Sequence, residues 1–242
     1  VEKSGDGSLF IRTDGDPVVA PVPGHPRSPV HMNRGTLLET FRVSGCALLF
    51  AGRFAKIEDF EGIRNVIVNA VHNGPLDQAW KPEMFDAGLF ADGMACLGAL
   101  FPSAAVTIAV NRRNHGFFSA PTAGTSTIFI ASDRYPREFP EILRRDILRL
   151  PVEEEDASTV VLPFLDAIAA AECMTRGRPL VERIVMAAGP GVTTPGWYRV
   201  RIGTPISELR RHLFKAEEHG PWRVIRGNPL TGKGVADDEA VG

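Results

Sequence analysis

The sequence predicts an α/β domain followed by a smaller α+β module. The first part of this prediction rests on two apolar runs, "NVIVNAV" and "AAVTIAV", which are separated by a helical pattern. A strand, helix, strand succession is typical of a parallel sheet with right-handed crossovers. The second part rests on strand, strand, helix and strand patterns that follow one another closely after residue 178. They leave too little chain for another crossover layer.

Composition narrows the class of protein. The 242 residues are 44% hydrophobic, which is enough to bury a core. A net charge of −2 and a pI near 6.3 give no excess of Lys and Arg, so nucleic acid is not an expected partner. No apolar run approaches the ~20 residues that a membrane-spanning helix needs, and no signal-peptide pattern begins the chain. We therefore expect a cytoplasmic chain without a membrane span.

The cysteines give no sign of a metal site. Cys46, Cys96 and Cys173 are widely spaced, and the chain contains no C-x-x-C pair, so neither an iron–sulfur cluster nor a paired zinc site is predicted. Each lies among apolar neighbours. We expect three buried thiols in a reducing compartment.

The first thirty residues are predicted to be a strand and a connector. "SLFIRTDGDP" indicates a strand at about Leu9 to Arg12 with no partner nearby, which favours the loss of a preceding domain. Five prolines between Pro17 and Pro29 exclude helix and central strand, so this segment is an extended connector. Residues 1–30 are therefore assigned to the remnant of an absent N-terminal domain.

The α/β domain is expected to begin with a helix and a strand. Thr36 and Glu39 have capping-box spacing, and Gly45 ends the helical pattern. The "RNVIVNAV" run then predicts a buried strand, which the turn-forming Asn73-Gly74-Pro75 ends.

The remaining elements complete this domain. A helix is predicted from Lys81 to Phe101, with Pro82 at its start, and its glycines at 88, 93 and 98 are expected to allow close contact with a sheet. Ala104 to Val110 and the "STIFIA" run are predicted strands. Further helices are predicted for Glu138–Leu150 and Thr159–Arg176. Residues 31–178 therefore form a Rossmann-like domain, residues 179–230 the α+β module, and residues 231–242 a flexible tail.

The module carries a specific resemblance. The segment "ERIVMAAGPGVTTPGWYRVRIGTPISELRR" resembles the β-grasp, or SLBB-type, domain of a respiratory flavoprotein superfamily. This superfamily includes the NADH-binding subunit of complex I and the C subunit of the Rnf complex. "RYPRE" at 134–138 resembles a Tyr-Pro loop of the same superfamily.

Three further segments resemble the A subunit of the sodium-translocating NADH:quinone oxidoreductase. They are "VSGCALLFAGRFAKI", "IVNAVHNGPL" and "WRVIRGNPLTGK". The likeness covers residues 36–80 and 181–233. That family also has an N-terminal barrel-sandwich domain, which would supply partners for the strand at 9–12.

This resemblance implies a role. The expected protein is a peripheral subunit on the cytoplasmic face of the bacterial inner membrane, in a complex that couples NADH oxidation and ubiquinone reduction to sodium export. NAD, FAD, FMN and iron–sulfur centres would lie in partner subunits. The chain itself would bind no redox cofactor and would have a quinone-binding or assembly role.

The resemblance also implies that a flavin site has been lost. In flavin-binding relatives, a glycine-rich loop holds the FMN phosphate through backbone N–H groups. Here Leu48, Leu49 and Phe50 occupy that position, and His72 stands where a carboxylate is expected. Since side chains fill the space that close backbone approach requires, the purified chain is expected to be colourless.

The end of the predicted strand is nevertheless the candidate site. Open α/β sheets bind ligands at the carboxyl ends of their strands. The candidate rim, which either holds a quinone or meets another subunit, comprises Arg53, Phe54, Asn69, His72, Asn73, Gly74 and Pro75. Asn69 is also suited to local backbone hydrogen bonds, and Arg53 to a solvated or inter-subunit position. No second histidine or carboxylate stands at a metal-ligand spacing from His72 in the sequence, so no metal site is predicted there.

The remaining charged residues are expected to have structural roles. No nucleophile and base arrangement is present, so no catalytic residue is assigned. Glu153–Asp156 is interpreted as a solvated loop, because calcium loops need spaced ligands and a glycine turn. Arg199 and Arg201 share one face of a strand, which either meets a partner subunit or faces water.

Two alternatives stay open. The chain would be a self-standing ligand-binding module if its gene were isolated, whereas genes for membrane and flavin subunits beside it would favour the complex. A flavin-dependent NADH dehydrogenase subunit of the Rnf type would instead be yellow when purified.

Overall fold

The computed structural model describes residues 2–3, 9–10, 32–49, 61–76, 86–118, 126–150, 157–215 and 223–242. Near the N-terminus, β1 (Glu2–Lys3) pairs antiparallel with β2 (Leu9–Phe10). At Leu9 and Phe10 the expectation of a strand without a partner is therefore wrong, because a second strand just before it supplies the hydrogen bonds, while residues 11 and 12 lie outside the described residues. The proline-rich connector lies outside the described residues.

The first helix, α1 (Arg34–Val43), begins earlier than predicted. The side chain of Asn33 accepts a hydrogen bond from the Thr36 backbone N–H at 2.8 Å, so Asn33 is the N-cap and Thr36 lies inside the helix. Gly45 follows the helix with a φ of 79°, as the sequence indicated. A 3₁₀ turn then covers Cys46–Leu49.

A four-stranded parallel sheet forms the centre of the α/β domain. Its strands are β3 (Asn65–Ala70), β4 (Ala105–Asn111), β5 (Ser126–Ala131) and β6 (Thr159–Pro163), with α2 (Ala87–Leu100), α3 (His115–Phe118), α4 (Pro140–Leu148) and α5 (Phe164–Arg176) between or after them. The order is β5-β4-β3-β6. The chain thus moves from β3 toward one side and then returns to place β6 on the other side of β3. This confirms the predicted Rossmann-like fold.

Helices cover both faces of this sheet. On one face, Val66 and Val68 of β3 pack in a large core with residues of α1, α2 and α5. On the other face, Ile67 packs in a smaller cluster around Leu143 of α4. Successive side chains of a strand point to opposite faces, so the continuous apolar run of β3 is what a strand covered on both sides requires. No helix in the described parts of the chain is long and apolar enough to cross a bilayer.

Residues 159–163 were expected to be helical, and this prediction was wrong. They form β6, which pairs with β3 from Thr159 opposite Asn65 to Pro163 opposite Asn69. Thr159, Val160 and Val161 are β-branched and favour a strand, and the helix begins only at Phe164.

Helix α2 also begins later than predicted. It starts at Ala87, because the Asp86 carboxylate caps it by accepting hydrogen bonds from the N–H groups of Gly88 and Leu89 at 2.9 and 3.1 Å. Pro82 lies outside the described residues. The close contact expected of the α2 glycines is made with another helix rather than with the sheet. A Cβ atom on Gly93 would lie 2.3 Å from the Ala167 carbonyl oxygen of α5.

The α+β module contains two antiparallel strand pairs and one helix. Its elements are β7 (Glu182–Ala187), β8 (Gly196–Arg201), α6 (Ile206–Leu213), β9 (Val224–Arg226) and β10 (Lys233–Val235). Strand β7 pairs with β8, and β9 pairs with β10. Neither pair belongs to the parallel sheet.

The end of the chain differs from the flexible tail predicted for residues 231–242. Helix α6 is preceded by Pro205, which gives no side-chain cap. The carbonyls of Glu239 and Asp237 instead accept hydrogen bonds from the Ile206 and Ser207 N–H groups at 2.8 and 2.9 Å. Since the first N–H groups of a helix need external acceptors, this segment packs against α6 despite its polar composition.

The cysteines are arranged differently from three separate thiols. The sulfur atoms of Cys46 and Cys173, which are 127 residues apart in the sequence, meet in the core and are paired as a disulfide in the structure. Their Cα atoms are 7.3 Å apart, longer than the roughly 4.4 to 6.8 Å usual for such a bond. Cys96 is a free, buried thiol, and burial raises its pKa to about 12. A thiol with so high a pKa is almost entirely protonated and therefore a poor nucleophile.

Alkylation with iodoacetamide tests this arrangement. The folded protein at pH 8 is expected to take up no label, because all three sulfur atoms are buried. After unfolding without a reducing agent, mass spectrometry should find one label, on Cys96. After unfolding with a reducing agent it should find three. Three labels in the unreduced, unfolded protein would show that Cys46 and Cys173 are thiols.

Candidate functional site

The candidate site lies where β3, β4 and β5 end. The turn after β3 (residues 71–76) meets the residues after β4 (112–114) and the loop after β5 (132–139) at the carboxyl edge of the sheet. The strand order switches between β3 and β6, and open α/β sheets usually form a crevice at the carboxyl ends of such strands, so the end of β3 belongs to both regions.

Asn111, the last residue of β4, is the centre of a hydrogen-bond network at this edge. It is fully buried. Its Oδ1 accepts from the His72 N–H at 2.8 Å and from Asn114 Nδ2 at 3.4 Å, while its Nδ2 donates to Oδ1 of Asn73. A buried amide is stable only when its polar atoms are paired. Asn111 therefore fixes the turn after β3 to the end of β4.

Asn69 and Asn73 attach the same turn to the loop after β5. Nδ2 of Asn69 donates to the Glu138 carbonyl at 2.8 Å, and its Oδ1 accepts from the Val71 N–H at 3.0 Å. Nδ2 of Asn73 donates to the Ser132 carbonyl at 3.0 Å. The loop they hold contains the Tyr-Pro of the "RYPRE" segment, with a cis peptide bond. Both rim asparagines thus bind the chain's own backbone.

His72 connects the edge to the α+β module. Its imidazole packs on the indole of Trp197 in β8, with ring centroids 5.2 Å apart and an angle of 56° between the planes. Its carbonyl accepts from Nη2 of Arg113 at 2.6 Å. A side chain of the α+β module, Trp197, therefore lies at the end of β3.

Five of the predicted rim residues lie together at this edge: Asn69, His72, Asn73, Gly74 and Pro75. Arg53 and Phe54 lie outside the described residues, as does Glu153–Asp156. The sequence interpretation missed Asn111, Asn114 and Arg113. The polar "NRRN" run directly after an apolar strand would have indicated them by the rule that selected Asn69. Trp197 gave no such signal, since its contact joins distant parts of the chain.

Part of the segment expected to replace a phosphate-binding loop lies in the 3₁₀ turn Cys46–Leu49, whereas Phe50 lies outside the described residues. Cys46 is fully buried in the 3₁₀ turn, and Leu49 packs against the main core. Within the described residues, no group of three or more His, Cys, Asp or Glu side chains is placed to hold a metal ion.

Two ion pairs join the module to α5. Nη2 of Arg183 lies 2.9 Å from Oδ1 of Asp166, and Nη1 of Arg199 lies 3.2 Å from Oε2 of Glu172. Arg199 and Arg201 are both exposed, and Arg199 pairs with a residue of its own chain. Burial raises the pKa of Asp166 above its usual value, and the nearby Arg183 guanidinium opposes this shift. Asp166 is thus a buried carboxylate that depends on one arginine.

A cavity of about 270 Å³ lies beside these pairs rather than at the carboxyl edge. It is bounded by the end of α5 and the connection to the module, and its walls include Glu172, Arg176 and Leu180. None of the rim residues that the structure describes lines it.

The α+β module matches a known protein family. Residues 184–237 match the family described as the NQRA C-terminal domain, NQRA_SLBB. The module is an SLBB domain. Its β7–β8 pair, α6 and β9–β10 pair all lie within or at the edge of that match.

Relatives extend the similarity to the first domain. The A subunit of the Na(+)-translocating NADH-quinone reductase of Marinomonas sp. strain MWYL1 is 26% identical over 236 residues, which are 93% of this chain and 49% of that protein. The corresponding protein of Cellvibrio japonicus is 40% identical over 70 residues, covering 29% and 15%. The resemblance to the A subunit of this reductase is thereby confirmed. The chain spans at most about half the length of these relatives.

Two further comparisons are more distant. The C subunit of an ion-translocating oxidoreductase complex from Rhodobacter capsulatus is 30% identical over 105 residues, or 40% of this chain and 20% of that protein. A solved NAD+-reducing [NiFe]-hydrogenase superposes with a TM-score of 0.55 at 15% identity, covering 78% of this chain and 41% of the hydrogenase chain. At that identity, the structural likeness shows the fold alone.

Replacing Asn111 with Ala is expected to lower the free energy of unfolding by about 1 to 3 kcal/mol, because the His72 N–H loses its buried acceptor. Chemical denaturation measures the change, and hydrogen exchange at His72 should become faster. Asn228→Ala is the matched control. Its side chain accepts a backbone bond from Leu230 in an exposed turn, so it should cost less than about 1 kcal/mol. Equal losses in the two variants would contradict a special role for the network.

Proposed function

We propose that this chain is part of a peripheral subunit of a membrane redox complex of the sodium-translocating NADH:quinone reductase type. The observation that carries the proposal is similarity to the A subunit of that reductase over 93% of the chain, together with the SLBB domain. The complex would couple NADH oxidation and ubiquinone reduction to sodium export. This subunit would lie on the cytoplasmic face of the membrane.

Within that complex, the chain holds no redox cofactor of its own. Leu49 packs into the core where a flavin-binding relative would need glycine, which supports this part of the proposal. The electron carriers, including FMN, FAD and iron–sulfur centres, would belong to partner subunits. The purified chain should therefore show no flavin absorbance band.

Its role is assembly rather than quinone binding. Asn69 and Asn73 donate to backbone carbonyls of the loop after β5, and Trp197 packs on His72. In these contacts, the side chains of Asn69, Asn73 and His72 already have partners within the same chain. A quinone would therefore have to be recognised mainly by Arg53 and Phe54.

Affinity purification of the full-length protein from its native membranes tests the proposal. We expect integral, flavin-containing subunits to be retained with it. A protein that is purified alone under mild detergent conditions would contradict the complex and favour a self-standing module.

Substitution of Arg53 and Phe54 by Ala in the assembled complex tests the choice between assembly and quinone binding. Assembly predicts weaker subunit retention with unchanged quinone affinity in the complex that remains. Weaker quinone binding in a fully assembled complex would overturn it.

Similarity to the Rhodobacter capsulatus protein favours a second candidate, a flavin-dependent subunit of the Rnf type. This candidate predicts a yellow protein with stoichiometric FMN. Absorbance spectra of the purified full-length protein separate the two candidates.

A further inference from the structure

The carboxyl edge of the sheet carries exposed arginines that the candidate rim did not include. Arg112 and Arg113 follow β4, and Arg134 follows β5; all three are exposed. Asn111 lies opposite Ala131 in the β4–β5 ladder, so these arginines continue from neighbouring strand ends and share one edge. We call Arg112, Arg113 and Arg134 the arginine edge.

This edge has an excess of positive charge. In the segments 112–114 and 132–138, Asp133 is the single exposed carboxylate. Arg113 donates to the His72 carbonyl, a neutral acceptor, and forms no ion pair with any residue that the structure describes. Within the described part of the chain, no ion pair is formed by Arg112 or Arg134. By contrast, Arg137 and Arg145 in the following loop and helix both pair with Asp146.

An exposed apolar residue adjoins the arginine edge. Leu76 ends the turn that Arg113 and Asn73 hold, and it is 53% exposed. Its φ of 71° is unfavourable for a leucine, yet the turn keeps it there. Arginines next to an exposed apolar side chain are typical of protein interfaces, whereas small-molecule sites are concave and mostly apolar.

We propose that the arginine edge, with Leu76, docks an acidic segment of a partner subunit. This inference rests on the proposed function, and it names the surface and the chemistry of the contact. Charge complementarity argues for an acidic partner, since exposed guanidinium groups attract carboxylates and pair with them bidentately. Exposed charges are screened by salt, so the contact weakens as ionic strength rises.

The test uses the full-length protein in its complex. Arg112→Glu/Arg134→Glu reverses two charges of the edge and leaves the structural Arg113 in place. Arg64→Glu/Arg226→Glu is the matched control, since both arginines are exposed, Arg64 before β3 at the opposite edge and Arg226 on β9. Retention of integral subunits should fall at least about tenfold in the first variant and stay within about twofold of wild type in the control.

A chemical cross-link identifies the partner group. Arg134→Lys keeps the charge and adds an amine, which a carbodiimide joins directly to a nearby carboxylate. We expect a cross-link from position 134 to an Asp or Glu of another subunit, and none from the control Arg64→Lys.

The outcomes separate the two proposals. If wild-type protein retains integral subunits and the charge-reversed variant retains them equally, the docking surface is wrong and the proposed function stands. If the wild type retains none, both proposals fall. Reduced retention with no cross-link to a partner carboxylate would overturn the acidic partner and point to a lipid headgroup.

Discussion

Replacing Arg183 with Met is expected to lower the free energy of unfolding by about 2 to 4 kcal/mol at pH 7. Arg183 is the partner of Asp166, whose side chain is only 9% exposed. Removing one member of a buried pair leaves an uncompensated charge, which costs more than the pair itself contributes. Arg199→Met is the control, because this arginine is 41% exposed and solvent screens its pairing with Glu172; its cost should be below about 1 kcal/mol.

The Arg183 effect should depend on pH in a defined direction. Burial raises the pKa of Asp166, so the folded state holds this proton more tightly than the unfolded state. The stabilisation that this proton gives is fully present below the pKa of Asp166 in the unfolded state. It is lost as pH rises through the pKa of Asp166 in the folded state. The loss in Arg183→Met should therefore shrink as pH falls and Asp166 becomes neutral. Denaturation at several pH values measures this, and Asp166→Asn/Arg183→Met should remove the dependence. A loss that is constant with pH would contradict an ionic origin.

Replacing Gly93 with Ala is the second change with a large expected effect. The added Cβ would lie 2.3 Å from the Ala167 carbonyl oxygen and 2.8 Å from its carbon, both backbone atoms of α5. The two helices would have to separate, and overpacking of this kind costs about 1 to 3 kcal/mol or more. Alanine has a higher helix propensity than glycine, which offsets at most about 1 kcal/mol of this cost. We expect a net loss of about 2 kcal/mol, seen as a lower midpoint of denaturation.

Gly98→Ala is the matched control in the same helix. A Cβ atom there would meet nothing within 4 Å, so the substitution should stabilise the protein by up to about 1 kcal/mol. The opposite signs of the two variants test the packing of α2 on α5. Similar effects at positions 93 and 98 would show that the helices are not in close contact.

The sequence predicted the fold class because apolar runs report burial directly. β3 has a continuous apolar run, which indicates a strand covered on both faces, and β4 has the same character. The boundary errors have physical causes. Thr159–Pro163 leads directly into the helix that begins at Phe164, and Pro163 marks this boundary in the sequence, because proline is disfavoured inside a helix and common at its start. Asp86 as a cap was hidden because Pro82 is an equally common signal of a helix start.

The candidate site was predictable only in part. The rule that ligands and polar side chains gather at strand ends led to Asn69, His72 and Asn73, which do lie together. It could not show that buried Asn111 connects them, because burial of a polar side chain depends on which strands become neighbours. Trp197 is 125 positions from His72, and no local pattern reports such a contact. The ordered end of the chain was missed for the same reason, since its acceptors serve a helix elsewhere in the module.

The position of β6 has a consequence for synthesis of the chain on the ribosome. Strand β6 pairs with β3 through Thr159 and Asn65, which are 94 residues apart. Strands β4 and β5 come between them in the sequence and are therefore synthesised before β6. Until β6 is made, a nascent sheet of β3, β4 and β5 would leave the apolar β3 with one edge unpaired. Open strand edges are sites of aggregation during folding. Slow translation or a pause before residue 159 should therefore increase dependence on chaperones, and the arrival of β6 and α5 should end it.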